Sequence, residues 1–108
     1  MTATGFRKLA LQLPEATEGE HFDVADFRVA SKLFATLAYE KQGCGVLLLT
    51  PEQQEGVVAD ASELFSPVPN VWGRQGATLV KLSAVKADIL KATLRTAWLR
   101  RAPKKLHT

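Results

Sequence analysis

Residues 44–53 read Cys44-Gly45-Val46-Leu47-Leu48-Leu49-Thr50-Pro51-Glu52-Gln53 and change from strand to helix chemistry within one short segment. The aliphatic run Val46–Leu49 predicts a strand, over residues 44–49, that is buried on both faces. Thr50 then offers a hydroxyl cap, Pro51 suits the first helical position, and Gln53 suits the third, where its side chain returns a capping-box hydrogen bond. This junction predicts a fold that contains both strands and helices.

The flanking segments extend the pattern. Helical spacing, period-2 alternation and turn residues give the element boundaries on either side of the junction. The predicted elements are, in chain order, a helix over 3–13, a solvated acidic loop over 15–26, strands at 27–29, 33–39 and 44–49, a helix from Thr50 to Glu63, two short strands around a bend at 72–76, of which the second is 77–82, and a helix capped by Ser83 that ends at Pro103. The order helix, three strands, helix, two strands, helix predicts an α+β fold with helices packed on an antiparallel sheet.

Length and composition predict one soluble domain over residues 1–108. Hydrophobic residues make up 46% of the chain and charged residues 23%, which is typical of globular proteins. No aliphatic run approaches the roughly 20 residues that a membrane helix needs, and the first residues lack a secretory signal, so we expect a cytoplasmic protein. Cys44 is the only cysteine, which excludes an intrachain disulfide, and its apolar neighbours predict a small buried side chain.

The two parts of the chain carry opposite charge. Residues 1–63 contain five Lys and Arg against ten Asp and Glu, whereas residues 64–108 contain nine against Asp88 alone. The net charge of +3 therefore conceals an acidic first part and a basic last part. Because clustered cations attract phosphates and release condensed counterions, the basic part predicts a polyanionic partner.

The candidate residues for nucleic-acid contacts are positively charged, except for the aromatic Trp72. They are Lys32, Trp72, Arg74, Lys81, Arg95, Arg100, Arg101, Lys104 and Lys105. Lys91 and Arg95 are four residues apart and project from one side of the last helix, and the basic residues after Trp98 extend that stripe. The alternative is that cations at a helix end complement its dipole and solubilise a surface without any ligand.

Two of these candidates lie in turns and have alternatives of their own. Trp72, flanked by glycine and proline, would form a loop tip that stacks on a ligand, or would clamp the loop onto the core. Lys32, after the predicted hairpin turn, would form a second loop tip, or would block edge-to-edge aggregation. The buried Trp98 and Phe34, by contrast, are predicted to belong to the core.

The sequence contains little that would support a catalytic site. His21 lies among Glu20, Asp23 and Asp26, an arrangement that suggests a metal site or a general base, but one histidine is a small basis and His107 lies in the terminal tail. No phosphate-binding loop, dinucleotide fingerprint, nucleophile elbow or zinc-helix motif occurs. We therefore predict an exposed His21 without a ligand, and a protein that is not an enzyme and needs no cofactor.

Six short segments occur in the order and spacing of a known family. They are LALQLPEA at 9–16, DFRV at 26–29, KLFA at 32–35, TPEQ at 50–53, SPVPNVWG at 66–73 and WLRRAPKK at 98–105. With them the chain closely resembles the MmcQ/YjbR family of small bacterial proteins over nearly its whole length. The resemblance implies a two-layer α+β fold like that of secretion chaperones, and DNA binding by a double-wing shape.

Two functions of different class follow, and a third interpretation, a small-molecule site beneath the Trp72 loop, has no polar constellation to support it. The first is non-catalytic binding of nucleic acid, DNA in particular, through the basic last helix and adjacent loops, with Arg and Lys on phosphates and Trp72 as an apolar contact. The second is a protein interaction module that holds a partner segment on its sheet or in a groove. The salt dependence of binding discriminates between them.

Overall fold

The computed structural model describes residues 1–107, which form one antiparallel sheet with helices packed on it. The helices are α1 (Ala3–Leu11), α2 (Pro51–Asp60), α3 (Val71–Arg74) and α4 (Ala87–Arg101), and the strands are β1 (Thr17–His21), β2 (Val24–Val29), β3 (Lys32–Thr36), β4 (Cys44–Leu48), β5 (Phe65–Pro67) and β6 (Ala77–Lys81). Two single 3₁₀ turns, Glu40–Gln42 and Lys104–Leu106, complete the description. The prediction of an α+β fold with an antiparallel sheet is confirmed.

The sheet has six strands in the order β1-β2-β3-β4-β6-β5, and every neighbouring pair is antiparallel. The first four strands follow one another as a meander. After α2, the short strand β5 forms one edge, and β6 inserts between β5 and β4. Because β6 pairs Ala77 with Leu48 and Lys81 with Cys44, the end of β4 and the start of β6 lie side by side.

The sheet buries one face completely and the other only in part. On the first face α1, α2 and α4 cover the main core, in which Phe6, Phe27, Phe34 and Trp98 have no exposed surface. On the second face a smaller cluster contains Val46, Leu48, Val68 and Ala77, with Trp72 packed against it. We call this second face the open face. Val46 and Leu48 on one side and Leu47 and Leu49 on the other are all buried, which confirms the prediction from the aliphatic run.

A bulge in β3 adds to the main core. Phe27 pairs with Ala35 and Arg28 pairs with Leu33, so Phe34 is an extra residue between the two pairs. An inserted residue turns two consecutive side chains toward the same face. Phe34 and Ala35 are accordingly both fully buried in the main core.

Helix α2 begins with the predicted capping box. The Gln53 backbone N–H donates to Thr50 Oγ1 at 3.1 Å, and the Thr50 N–H donates to Gln53 Oε1 at 2.9 Å. The two side chains thus satisfy two backbone donors that a bare helix start leaves unpaired. Local chemistry alone was sufficient to place this boundary.

Replacing Thr50 with alanine is expected to lower the free energy of unfolding by about 1 kcal/mol, because the cap acceptor is lost while the packing changes little. Urea unfolding followed by circular dichroism measures the change. Thr96→Ala is the matched control: Thr96 lies inside α4 and its hydroxyl donates only to the Ala92 carbonyl of the same helix. An equal loss in both variants would contradict a specific role for the cap.

Helix α4 buries one side, although its start differs from the prediction. Leu90, Leu94 and Trp98 are buried at helical spacing, and Trp98 Nε1 donates to the Pro14 carbonyl at 3.1 Å, which joins α4 to the end of α1. Ser83 does not cap this helix. A turn precedes the helix: the Val85 N–H donates to the Lys81 carbonyl, and the Val85 side chain is buried. The helix therefore begins later, after Lys86.

The acidic segment 15–26, predicted as a loop, is mostly a β-hairpin. Strand β1 pairs with β2 from Thr17 opposite Arg28 to His21 opposite Val24, and the two-residue turn consists of Phe22 and Asp23 at φ values of 51° and 63°. Such turns usually contain Asn or Gly. The sequence concealed the strand because no side chain of β1 is buried and the turn lacks those residues.

Two smaller predictions also need correction. Residues 71–74 form a single helical turn rather than a bend between strands, since Asn70 Oδ1 accepts a hydrogen bond from the Trp72 N–H at 2.8 Å and starts the helix. Cys44 is only half-buried. Burial nevertheless raises the pKa of its thiol, an effect that the positive charge of Lys81 partly opposes.

Candidate functional site

Several predicted site residues lie at one end of the sheet, where β4 ends and β6 begins. Arg100, in the last turn of α4, donates from Nη1 to the Leu48 carbonyl at 3.1 Å. Helix α3 lies at the same end, because Gln54 Nε2 donates to the carbonyls of both Gly73 and Ala77 at 2.9 Å. These hydrogen bonds fix the end of α4, the end of β4 and α3 relative to one another.

A small cavity lies between these elements. It has a volume of about 100 Å³ and is lined by Leu48, Leu49, Trp72, Gln75, Ala77, Arg100 and Arg101. Two guanidinium groups, an amide and an indole ring therefore surround a space floored by the sheet. We call it the arginine cavity. Helix α3 contributes Trp72 to the lining, Gln75 follows as the residue that ends α3, and α4 contributes the two arginines.

The arginines of this cavity have no carboxylate partner among residues 1–107. Within residues 1–107 the ion pairs are Arg7 with Glu18 and Arg28 with Asp26. Burial lowers the pKa of the Arg100 guanidinium, and the adjacent positive charge of Arg101 lowers it further. Arg101 Nε is buried and has no hydrogen-bond partner in the described part of the chain. Two like charges thus line one cavity, and neither pairs with a carboxylate of residues 1–107.

Other predicted residues lie on elements that reach the same end of the sheet. Arg74 is exposed on the same short helix as Trp72. Lys32 begins β3, and the pairing of Ala35 with Leu47 places the start of β3 beside the end of β4. Lys104 and Lys105 are exposed in the 3₁₀ turn that follows α4. The name basic end denotes these cations together with those of the cavity: Lys32, Arg74, Arg100, Arg101, Lys104 and Lys105.

Two predicted residues lie elsewhere. Lys81 pairs with Cys44 at the opposite end of β6, about 13 Å along the strand from Ala77 at the usual strand rise. Arg95 lies over the Trp98 ring, 5.5 Å from its centroid, and lines a groove between α1 and α4 with Leu9, Leu13 and Lys91. The predicted stripe along α4 is therefore divided, because a helix turns Arg95 and Arg100 to different sides.

The open face carries a second concave region, which Trp72 also lines. This groove has a volume of about 420 Å³ and is lined by His21, Phe22, Val24, Asp26, Arg28, Leu33, Thr36, Ala38 and Trp72. In its floor the buried Asp26 accepts hydrogen bonds from Arg28 at 3.2 and 3.1 Å, and this interaction raises the pKa of Arg28. Phe22, at the tip of the first hairpin, is 88% exposed. Trp72 thus contributes to both the groove and the arginine cavity.

The position of Trp72 combines its two predicted roles. The side chain is half-buried against Val46, Leu48 and Ala77, so it holds α3 on the open face as a clamp. It also lines both concave regions, so part of the ring remains accessible to a ligand. Whether any of the nine predicted residues contacts nucleic acid remains a prediction.

Residues of the acidic hairpin offer no metal centre in the structure. His21 is exposed, and its ring contacts Phe22 edge-on with 4.3 Å between centroids. Across residues 1–107, no group of three or more His, Cys, Asp and Glu is placed to hold a metal ion. None of the helices in that range is both long and apolar enough to cross a bilayer.

Comparison with known proteins relates the chain to one family. The family model of YjbR matches residues 11–100. A crystal structure of a Deinococcus radiodurans protein, whose family-model domain is DUF419, superposes with a TM-score of 0.71 at 24% sequence identity. The superposition covers 92% of this chain and 77% of that chain, and likeness at this identity shows the fold. No curated protein matches the chain significantly.

Proposed function

Since the chain belongs to the YjbR family, we propose that it is a non-catalytic, cytoplasmic protein that binds nucleic acid, DNA in particular, through the basic end. The family resemblance supplies the expectation of DNA binding, and the structure supplies a surface on which to test it. The proposal assigns positions on the phosphate backbone to the cations and no readout of base sequence.

The observation that carries the proposal is the arginine cavity. Arg100 and Arg101 lie side by side with no acidic partner within residues 1–107, although ten carboxylates occur in the first part of the chain. Cations on an ordinary solubilising surface point into water or pair with neighbours. Arg100 is exposed and Arg101 is half-buried, and the Nε of Arg101 is a buried donor without a partner within residues 1–107, which a bound anion would satisfy.

Each residue of the basic end has a separate part in the proposal. Arg100 and Arg101 hold one phosphate at the cavity, and the exposed Lys104 and Lys105 follow the backbone away from it. Arg74 and Lys32 contact phosphates from the two turns on the other side. Trp72 offers an apolar surface beside the cavity, where a base or sugar would pack. Lys81 and Arg95, which lie elsewhere, contribute long-range attraction only.

A salt titration tests the proposal. If about five phosphates are neutralised, the logarithm of the association constant for duplex DNA should fall against the logarithm of salt concentration with a slope near −4 to −5. Fluorescence anisotropy with a labelled duplex and a labelled single strand measures this slope. Binding that ignores salt, or the absence of binding to either probe at low salt, would rule out the proposal.

A second candidate function rests on the open-face groove. A large aromatic side chain that is 88% exposed beside a groove of about 420 Å³ is typical of a surface that a partner covers. The partner would be a protein segment that lies along β2 and β3. Such a complex would persist at high salt, because apolar contacts are not screened. A pull-down repeated at low and high salt, with light scattering to detect a dimer, therefore separates the two candidates.

A further inference from the structure

We propose that the arginine cavity binds a phosphate monoester in its dianionic form, with the terminal phosphate of a nucleic-acid strand as the ligand. This inference rests on the proposed function and narrows it, since a protein that only follows the backbone would treat internal and terminal phosphates alike. Charge, size and hydrogen-bonding capacity of the cavity support it separately.

The charge of the cavity favours a dianion. Arg100 and Arg101 bring two positive charges to one space, and no carboxylate of residues 1–107 pairs with either. An internal phosphodiester carries one negative charge, whereas a phosphate monoester carries about −1.5 to −2 at neutral pH. Only the monoester brings a charge that matches both guanidinium groups.

The size of the cavity favours a terminal group. At about 100 Å³ it is far smaller than the pockets of roughly 300–1,000 Å³ that hold whole small molecules, so a base cannot enter it. Leu48, Leu49 and Ala77 form its apolar floor. A strand that contains an internal phosphate must leave the cavity on both sides, whereas a strand that ends in a phosphate needs a single exit.

The donors of the cavity are available to such a ligand. One Nη1 hydrogen bond from Arg100 to the Leu48 carbonyl fixes that guanidinium in place, and its other N–H groups remain for a ligand. Within residues 1–107, Arg101 Nε is a buried donor without a partner, and Gln75 adds an amide to the lining of the cavity. Buried donors are nearly always satisfied in folded proteins, and the oxygens of a phosphate would satisfy this one.

The test compares one single-stranded oligonucleotide with and without a terminal phosphate, the phosphate being placed at the 5′ end in one probe and at the 3′ end in another. Because a charge-assisted hydrogen bond contributes roughly a factor of ten to an equilibrium, the protein should bind at least one phosphorylated strand about tenfold more tightly. The preference should disappear in Arg101→Gln and persist in Arg95→Gln, its matched control on the other side of α4. It should also weaken between about pH 7.5 and pH 5.5, as the monoester gains a proton.

The outcomes distinguish a failure of the terminal-phosphate inference from a failure of the proposed nucleic-acid binding. Equal binding of all strands, or a preference that survives Arg101→Gln, overturns the inference and leaves the proposed function intact. If neither these strands nor a duplex binds, the proposed function fails, and inorganic phosphate at constant ionic strength becomes the probe. A rise in melting temperature with phosphate that Arg101→Gln abolishes then supports a site for free phosphate monoesters, and the absence of a rise overturns the inference as well. Arg101→Lys, which retains the charge, guards against a loss that reflects misfolding.

Discussion

Replacing Gly76 with alanine is expected to lower the free energy of unfolding by about 3–5 kcal/mol, because strain and overpacking occur at the same residue. Gly76 has a φ of 111°, which side chains rarely tolerate, and an added Cβ would lie 1.9 Å from the Leu49 carbonyl oxygen. Its own carbonyl accepts hydrogen bonds from the Leu49 N–H and from Thr78 Oγ1. The end of β4 therefore has no room to move without losing the contacts that form the basic end.

Two other glycines separate the two causes. Gly43 has a φ of 76° in open space, so Gly43→Ala should show the backbone cost alone, about 1–2 kcal/mol. Gly56 lies within α2 with nothing near its Cβ position, so Gly56→Ala should stabilise the protein by about 0.5–1 kcal/mol. Urea unfolding of the three variants under the same conditions gives the ranking. A Gly76→Ala protein as stable as Gly43→Ala would contradict the close approach to Leu49.

The sequence predicted those elements whose boundaries depend on neighbouring residues. The capping box at Thr50, the aliphatic strand before it and the spacing of Leu90, Leu94 and Trp98 each specify structure within a few residues. Strand β1 escaped prediction because it is an edge strand held by backbone pairing with β2, and its side chains are mostly exposed. The first residue of α4 was predicted wrongly because it depends on a tertiary contact, the burial of Val85.

The candidate site shows the same division. Composition and position identified the arginines and Trp72, since charge and aromatic character are properties of single residues. That the arginines and Trp72 line one cavity was not predictable from the sequence. It depends on where α4 ends relative to β4 and on a hydrogen bond from Arg100 to a backbone carbonyl. Gln75 was missed although it follows Trp72 and Arg74 directly, since an amide in a turn carries no functional signal. Nothing in the sequence marked Phe22 as exposed.

Replacing Arg100 and Arg101 together with glutamate is expected to weaken DNA binding by about 100-fold or more at low salt, because the two cations that hold one phosphate are replaced by anions that repel it. The effect should be the same for unrelated sequences, since phosphate contacts carry no base information. The slope of the salt titration should become less steep by about 1, because the phosphate at the cavity is no longer neutralised and each neutralised phosphate contributes roughly 0.9. Fluorescence anisotropy with two unrelated duplexes measures both quantities.

The matched control is the double replacement of Lys91 and Arg95 with glutamate. It changes the net charge by the same amount on the same helix, but both residues line the groove between α1 and α4 instead of the basic end. If binding depends on position, this variant should retain most of its affinity and nearly all of its salt slope. If it depends only on net charge, the two variants should lose affinity equally, and the basic end would then have no special role. Because Arg100 also bonds to Leu48 and Arg95 packs on Trp98, the melting temperature of each variant must first be shown to lie well above the temperature of the assay.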